Sequence, residues 1–312
     1  MRIVTLTLNP AFDVHCHVAA FRAEHENLAT VISRDAGGKG VNISRALAKN
    51  GIENLALVVL GIENAGDFRR ALTEDGISFS EILVDGRIRE NITVHTDVGA
   101  ETRISFAGFS VGDALLDDVR KALEGDCSDA IVTFTGRVPN GIGMRAVKQF
   151  LKELRARGAR LVIDSKSFSL DDLIECRPWL IKPNEEEIAE YLGREVEAFS
   201  DIADAALRLH RDGIENVMIS LGAKGAMLAC GEGIFVATPP EIEVRSTIGA
   251  GDSSIAGFLA ATAVGADARA CLCEAVAYGS AACLTEGTQP PRGEDVSELR
   301  GLVRCEKLGC NE

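Results

Sequence analysis

The chain has 312 residues, 46% of them hydrophobic, enough for one large α/β domain or two smaller ones around a sizeable core. Its 47 acidic and 33 basic residues give a formal charge of -14, which repels nucleic acid and anionic membrane, and an aromatic content of 5% leaves little for base stacking. The nine cysteines are scattered without a CxxC pair, mostly inside apolar segments, so reduced thiols in a cytoplasm are expected rather than a disulfide framework.

Residues 3–8 alternate apolar and polar side chains and read as a strand, too short and polar for a signal peptide. No apolar run approaches the length of a membrane span. The strand ends in Asn9-Pro10-Ala11-Phe12-Asp13. Open α/β sheets bind ligands beyond the carboxyl ends of their strands, so Asn9 and Asp13 are candidate contacts; a plain turn is the alternative. Residues 14–18 put His15 and His17 on one strand face, with too few partners for a metal, and an exposed face is expected. After a short strand at 31–34 comes Asp35-Ala36-Gly37-Gly38-Lys39-Gly40-Val41-Asn42, a glycine loop opening a helix that Gly51 closes. The P-loop spacing is absent. The bland reading is a tight turn with a solvated lysine.

Residues 55–61 read as a buried strand, 67–74 as a helix and 79–84 as a strand. Segments 91–96 and 101–106 flank Asp97-Val98-Gly99-Ala100 as a hairpin. The mixed polarity of these strands and of 14–34 predicts a small sheet standing off the core as a lid, drawn from about 12–34 and 88–107, with Arg89 leading into it. A regular alternation follows: helix 113–123, strand 130–134, helix 144–157, strand 160–164, strand 179–181, helix 203–211 and strand 216–220. The third of these strands ends in Lys182-Pro183-Asn184-Glu185-Glu186-Glu187, which caps a helix, and the last runs into Leu221-Gly222-Ala223-Lys224-Gly225-Ala226. A hairpin at 227–230 and 234–237 suits a sheet edge, and the remainder reads as mostly helical. This pattern predicts an α/β fold with a doubly wound, mainly parallel sheet flanked by helices, plus the small β lid. No linker or repeat divides the chain, so residues 1–312 are expected to form one domain.

The stretch Ser246-Thr247-Ile248-Gly249-Ala250-Gly251-Asp252 is a glycine turn feeding an apolar helix. The unpaired N–H groups of a first helical turn suit a phosphate. A carboxylate there repels such a ligand unless it does chemistry, holds a metal or caps the helix. Polar turns after strands gather on one edge of a parallel sheet. That edge would carry Asp13, Asn42, Lys182, Asn184, Glu187 and Asp252, with Arg89 and Arg137 approaching. Paired guanidiniums suit a substrate phosphate. Asn184 and Glu187 could hold Mg²⁺ through water, or simply cap their helix.

Three ordered motifs carry a resemblance over almost the whole chain. Gly37-Gly38-Lys39-Gly40-Val41-Asn42, the Asn184–Glu187 NxxE stretch and Ser246 to Asp252 resemble the signatures of the ribokinase-like (PfkB) carbohydrate kinases. Leu8-Asn9-Pro10-Ala11-Phe12-Asp13 and Arg89-Glu90-Asn91-Ile92-Thr93-Val94 are similar to its phosphosugar branch, although Thr93 interrupts the second. That branch reads SGSLPxG where this chain has Thr135-Gly136-Arg137-Val138-Pro139-Asn140-Gly141, so Arg137 replaces a small residue.

The resemblance implies ATP-dependent phosphorylation of a phosphorylated ketohexose. Fructose 1-phosphate is the first expected acceptor, with tagatose 6-phosphate and fructose 6-phosphate as alternatives. Asp252 would be the general base, with the N–H groups of Gly249, Ala250 and Gly251 stabilising the transferring phosphoryl. Asn9, Asp13, Gly37, Gly38, Lys39, Asn42 and Asn91 would hold the sugar, and Arg89 and Arg137 its phosphate. Lys182, Asn184, Ser220, Gly222, Gly225, Thr247, Gly249 and Gly251 would line the nucleotide site, and Asn184 and Glu187 would organise Mg²⁺. In some relatives a monovalent cation binds at positions matching Ser246, Ile248 and 282–287. Relatives also dimerise through the lid, which implies a homodimer. A non-catalytic sugar or nucleotide sensor on the same fold is the reading from another class.

Overall fold

In the computed structural model, which describes residues 1–99, 101–123, 127–196 and 198–309, strands and helices alternate along most of the chain. The first third contains β1 (Arg2–Thr7), β2 (Ala11–His17), β3 (Thr30–Gly37), α1 (Lys39–Lys49), β4 (Leu55–Gly61), α2 (Ala65–Glu74), β5 (Phe79–Val84), β6 (Arg89–His95) and β7 (Glu101–Ser105). The middle has α3 (Leu115–Ala122), β8 (Ala130–Thr135), α4 (Met144–Ala156), β9 (Arg160–Asp164), α5 (Leu170–Cys176), β10 (Leu180–Ile181), α6 (Glu185–Leu192) and α7 (Phe199–Arg211). The last third has β11 (Asn216–Ser220), a 3₁₀ turn (Gly222–Lys224), β12 (Ala226–Cys230), β13 (Gly233–Thr238), α8 (Ala250–Ala263), α9 (Ala268–Cys283), α10 (Gly293–Leu302) and β14 (Arg304–Leu308).

Ten strands form the main sheet in the order β14-β13-β12-β11-β10-β9-β8-β1-β4-β5. Pairing is parallel from β11 to β5 and antiparallel from β11 to β14. Strand residues alternate between the two faces of a sheet, and the core divides accordingly. Leu6, Val132, Ile163, Val217 and Met227 face the layer holding Val119, Phe150 and Leu209 of α3, α4 and α7. Ile3, Ile131, Val162, Met218 and Leu228 face the layer holding Ile255, Phe258, Leu272 and Leu299 of α8, α9 and α10. Helix α8 is buried along all of Ile255–Ala261, as its unbroken apolar sequence requires. No described helix is long and apolar enough to cross a membrane.

The second sheet has four strands in the order β3-β2-β6-β7. Its register puts Asp13 opposite both Asp35 and Asn91, and His15 opposite Thr93. One face is therefore polar. Its other face carries Phe12, Val14, Cys16, Ile92 and Val94, and Phe12 packs edge-on to Phe68 of α2 at 5.2 Å.

Four local expectations need correction. His15 is not on an exposed face: it is 5% exposed, stacked on the His95 ring at 5.2 Å, while His17 stays half-open beside Asp97. The remainder is mostly helical as expected, but β14 pairs with β13 and moves the β12–β13 hairpin inward from the sheet edge. Helix α5, which no periodicity announced, is held by a capping box between Ser169 and Asp172. Strand β3 runs on to Gly37, so the first half of the glycine motif is strand rather than loop. Ala100 of the hairpin turn and Cys310 of the tail lie outside the described residues.

Candidate active site

The carboxyl ends of the parallel strands and the polar face of the small sheet bring most of the sequence-selected residues together. Gly249 is the N-cap of α8 and takes a left-handed conformation, φ 79°, which glycine adopts without strain. Ala250, Gly251 and Asp252 are the first three helical residues. Asp252 makes no capping bond, so the capping alternative for this residue is set aside. Its carboxylate is instead 8% exposed and accepts a hydrogen bond from Asn42 Nδ2 at 2.9 Å. Burial pushes its pKa up to about 6; Lys39, the Asn42 bond and Lys182 oppose the rise, and nearby Asp164 adds to it.

Lys39, the first residue of α1, is half-open to solvent but paired. Its Nζ donates to Asp164 Oδ2 at 2.8 Å. Burial alone would lower its pKa, but the charges of Asp164 and Asp252 raise it overall. Asp164 is 6% exposed at the end of β9; burial disfavours its charge, but Lys182 and Lys39 hold its pKa below the ordinary carboxylate value. Lys182 follows β10 and is 7% exposed, with Nζ 3.0 Å from where a Cβ on Gly251 would lie. Two ammonium groups and two carboxylates thus meet under the glycine turn. Asp164 takes the ion pair, which leaves Asp252 as the carboxylate with a pKa in the range of a base.

On the small sheet, Asp13 Oδ1 accepts from Asn91 Nδ2 at 2.9 Å. Burial raises the Asp13 pKa against the Asn91 bond and the charges of Arg103, Arg45 and His15. Gly37 gives this carboxylate its room, since a Cβ there would lie 2.1 Å from Asp13 Oδ2. Gly38, φ 117°, is the N-cap of α1. Asn9 and Arg89 meet at Gly108, where a Cβ would lie 2.7 Å from Asn9 Oδ1 and 3.2 Å from Arg89 Cδ. Asn9 Oδ1, Asn91 Oδ1 and Arg89 Nε are buried without a hydrogen-bond partner. Such groups are rare in folded proteins and fit polar contacts awaiting a ligand. Arg89 Nη1 donates to the Phe106 carbonyl at 3.0 Å. Burial and then the charge of Arg137 lower the Arg89 pKa, so two guanidiniums act on one region. Arg137 itself is exposed after β8 and forms no ion pair among the described residues.

The remaining residues line the neighbouring strand ends. Asn184 and Glu187 form a reciprocal capping box on α6: Asn184 Oδ1 accepts from Glu187 N at 2.8 Å, and Glu187 Oε2 accepts from Asn184 N at 3.2 Å. Glu187 Oε1 lies 3.8 Å from Lys166 Nζ. Ser220 N donates to the Pro183 carbonyl at 3.0 Å, and Gly222 and Gly225 bracket the next turn, which returns a bond from Leu221 N to the Gly225 carbonyl. Thr247 is exposed just before the glycine turn. Ser246 Oγ donates to the Gly287 carbonyl at 3.3 Å and accepts from Ile248 N at 3.2 Å, joining the segments on either side of α8 and α9. No three His, Cys, Asp or Glu side chains gather as a metal cage among the described residues. Sequence reasoning passed over Asp164 and Arg45. Asp164 carried a usable signal, an acid at the end of a predicted parallel strand.

The family model for pfkB family carbohydrate kinases matches residues 8–294. A 1-phosphofructokinase of Rhodobacter capsulatus is 32% identical over 311 residues, covering 99% of this chain and 98% of that protein. A 1-phosphofructokinase of Escherichia coli strain K12 is 33% identical over 259 residues, 83% of each chain. The solved structure of phosphofructokinase-2 from Escherichia coli in complex with fructose-6-phosphate superposes with a TM-score of 0.90 at 26% identity, covering 96% of this chain and 98% of that one. With its signature turns converging on one buried aspartate, the chain belongs to the pfkB family of carbohydrate kinases.

Proposed function

We propose that the chain transfers the γ-phosphoryl group of ATP to a hydroxyl of fructose 1-phosphate, giving fructose 1,6-bisphosphate and ADP. The observation that carries this reading is Asp252: a buried carboxylate with a pKa near 6, in the first turn of a helix preceded by a left-handed glycine. The sugar hydroxyl gives its proton to Asp252, its oxygen forms the bond to phosphorus, and the bond to the ADP oxygen breaks. The N–H groups of Gly249, Ala250 and Gly251, together with Lys182, stabilise the charge that develops on the phosphoryl oxygens. Asn9, Asp13, Gly37, Gly38, Lys39, Asn42 and Asn91 hold the sugar. Arg89 and Arg137 hold the phosphate already present, which gives their mutual repulsion a compensating anion.

The nucleotide lies along Lys182, Asn184, Ser220, Gly222, Gly225 and Thr247. Mg²⁺ keeps several waters and is ordinarily held by one or two carboxylates together with substrate phosphates. Glu187 would hold the ion with Oε1, the carboxylate oxygen outside the capping box, while Asn184 fixes that helix end. When bound, the ion would neutralise charge on the nucleotide phosphates. A monovalent cation beside Ser246, Ile248 and 282–287 is part of the same proposal. So is a single working domain over 1–312 whose four-stranded sheet closes over the sugar as a lid, excluding water from ATP.

An ADP-release assay of the purified protein with fructose 1-phosphate, fructose 6-phosphate and tagatose 6-phosphate tests the acceptor. The highest kcat/KM is expected with fructose 1-phosphate. A clear preference for either 6-phosphate would move the assignment to that sugar. ADP release that no sugar accelerates would point to a sensor instead.

A further inference from the structure

Arg45 lies on α1 one turn beyond Asn42 and is 4% exposed. Its guanidinium makes three sets of contacts. Nε donates to Asp75 Oδ2 at 2.8 Å, Nη1 donates to Asn42 Oδ1 at 3.0 Å, and Nη2 donates to the Ala36 carbonyl. Asn42 Nδ2 then donates to Asp252 Oδ2 at 2.9 Å. An unbroken line of hydrogen bonds thus runs from Asp75, at the end of α2, to the carboxylate of Asp252. Its outer end opens into a cavity of about 730 Å³ bordered by Arg45, Asp75, Lys49, Arg245 and Arg292.

The polarity of that line is fixed by chemistry. A guanidinium has donors only, and an ionised carboxylate has acceptors only. Between them, the Asn42 amide satisfies both neighbours in one orientation alone, with its oxygen toward Arg45 and its NH₂ toward Asp252. Rotated by half a turn, it would set donor against donor and acceptor against acceptor in a buried place, where unmet polar groups are costly.

We propose that Arg45 is a positioning residue for the phosphoryl-transfer step: it locks the Asn42 amide so that Asn42 donates to Asp252 Oδ2. This fixes the rotamer of the base and leaves Oδ1 for the substrate hydroxyl. Asp75 and the Ala36 carbonyl hold the guanidinium flat against α1. The other charged groups facing Asp252 are Lys39 of α1, Lys182 beyond β10 and Asp164 of β9, and none of them orients the amide. The inference rests on Asp252 acting as the base.

The test is the pH dependence of kcat together with a double-mutant cycle. Arg45→Met is expected to lower kcat by about tenfold or more, short of the 10²–10⁴-fold typical of losing a base outright. KM for ATP and sugar should change less. The acid limb of the kcat profile should move to higher pH, because an amide free to rotate no longer favours ionised Asp252. Arg45→Lys keeps the charge but loses the planar fork whose separate nitrogens reach Asp75, Asn42 and Ala36, so it should move the limb in the same direction if Arg45→Met folds poorly. Combined with Asn42→Ala, the Arg45 change should cost little further, since both act through one amide. Fully additive losses, or a lower kcat with an unmoved acid limb, would overturn the proposal. Asp252→Asn serves as the reference: if it stays active, the base assignment fails and the role of Arg45 falls with it, whereas an inactive Asp252→Asn beside an unmoved acid limb in Arg45→Met overturns the role of Arg45 alone.

Discussion

Burying the Asp252 carboxylate costs the fold stability. Its folded-state pKa, about 6, lies above the ordinary 3.8, so the folded chain binds this proton more tightly than the unfolded chain does. Stability therefore falls as pH rises from about 4 to about 6, and the full cost is present at pH 7, roughly 2–3 kcal/mol. Asp252→Asn should raise Tm by a few degrees at pH 7 in thermal unfolding, and a lowered Tm would contradict the burial cost. Arg137 belongs to the same scale. It departs from the small residue of the branch and its charge acts on Arg89. Arg137→Ser should raise KM for the phosphosugar far more than KM for ATP; equal effects would remove it from the phosphate site. Asp252, Lys39 and Asn42 were legible because glycine turns advertise them. Arg45 and Asp75 were not, because they lie 30 residues apart and only folding brings them together.

At the scale of elements, Gly37 ends β3 and admits the Asp13 carboxylate, with no room for a methyl group. Gly37→Ala must push Asp13 out of line with Asn91, so kcat/KM for the sugar should fall by about tenfold or more while KM for ATP holds. An unchanged value would separate Asp13 from sugar binding. Most strands and helices were readable from periodicity, including the β6–β7 hairpin. The misses have physical causes. Strand β14 reads Arg-Cys-Glu-Lys-Leu, polar on its exposed positions, and is a strand because β13 offers it an open edge. Helix α5 is only seven residues, short for a hydrophobic period to register, and its capping box does the defining. His15 is buried by a partner on another strand, which alternation along β2 cannot reveal.

At the scale of the molecule, a strongly acidic chain carries Lys39 and Lys182 beside Asp252, and Arg137 beside Arg89 of the small sheet, where anionic substrates would be drawn. The small sheet leaves Val31, Ile32 and Ile104 exposed around its apolar face. Exposed apolar groups of this kind suit a partner surface, and a second copy of the chain is proposed to cover them. Sedimentation should give a dimer for the native chain and a monomer for Ile104→Glu; a native monomer would remove the lid interface.

Turnover of Asp252→Asn with ATP and fructose 1-phosphate, measured beside the unaltered protein, is the most direct test of the base proposed at the head of α8. The variant should fold and bind both substrates yet lose about 10²–10⁴-fold in kcat. Turnover close to that of the unaltered protein would contradict the role of Asp252.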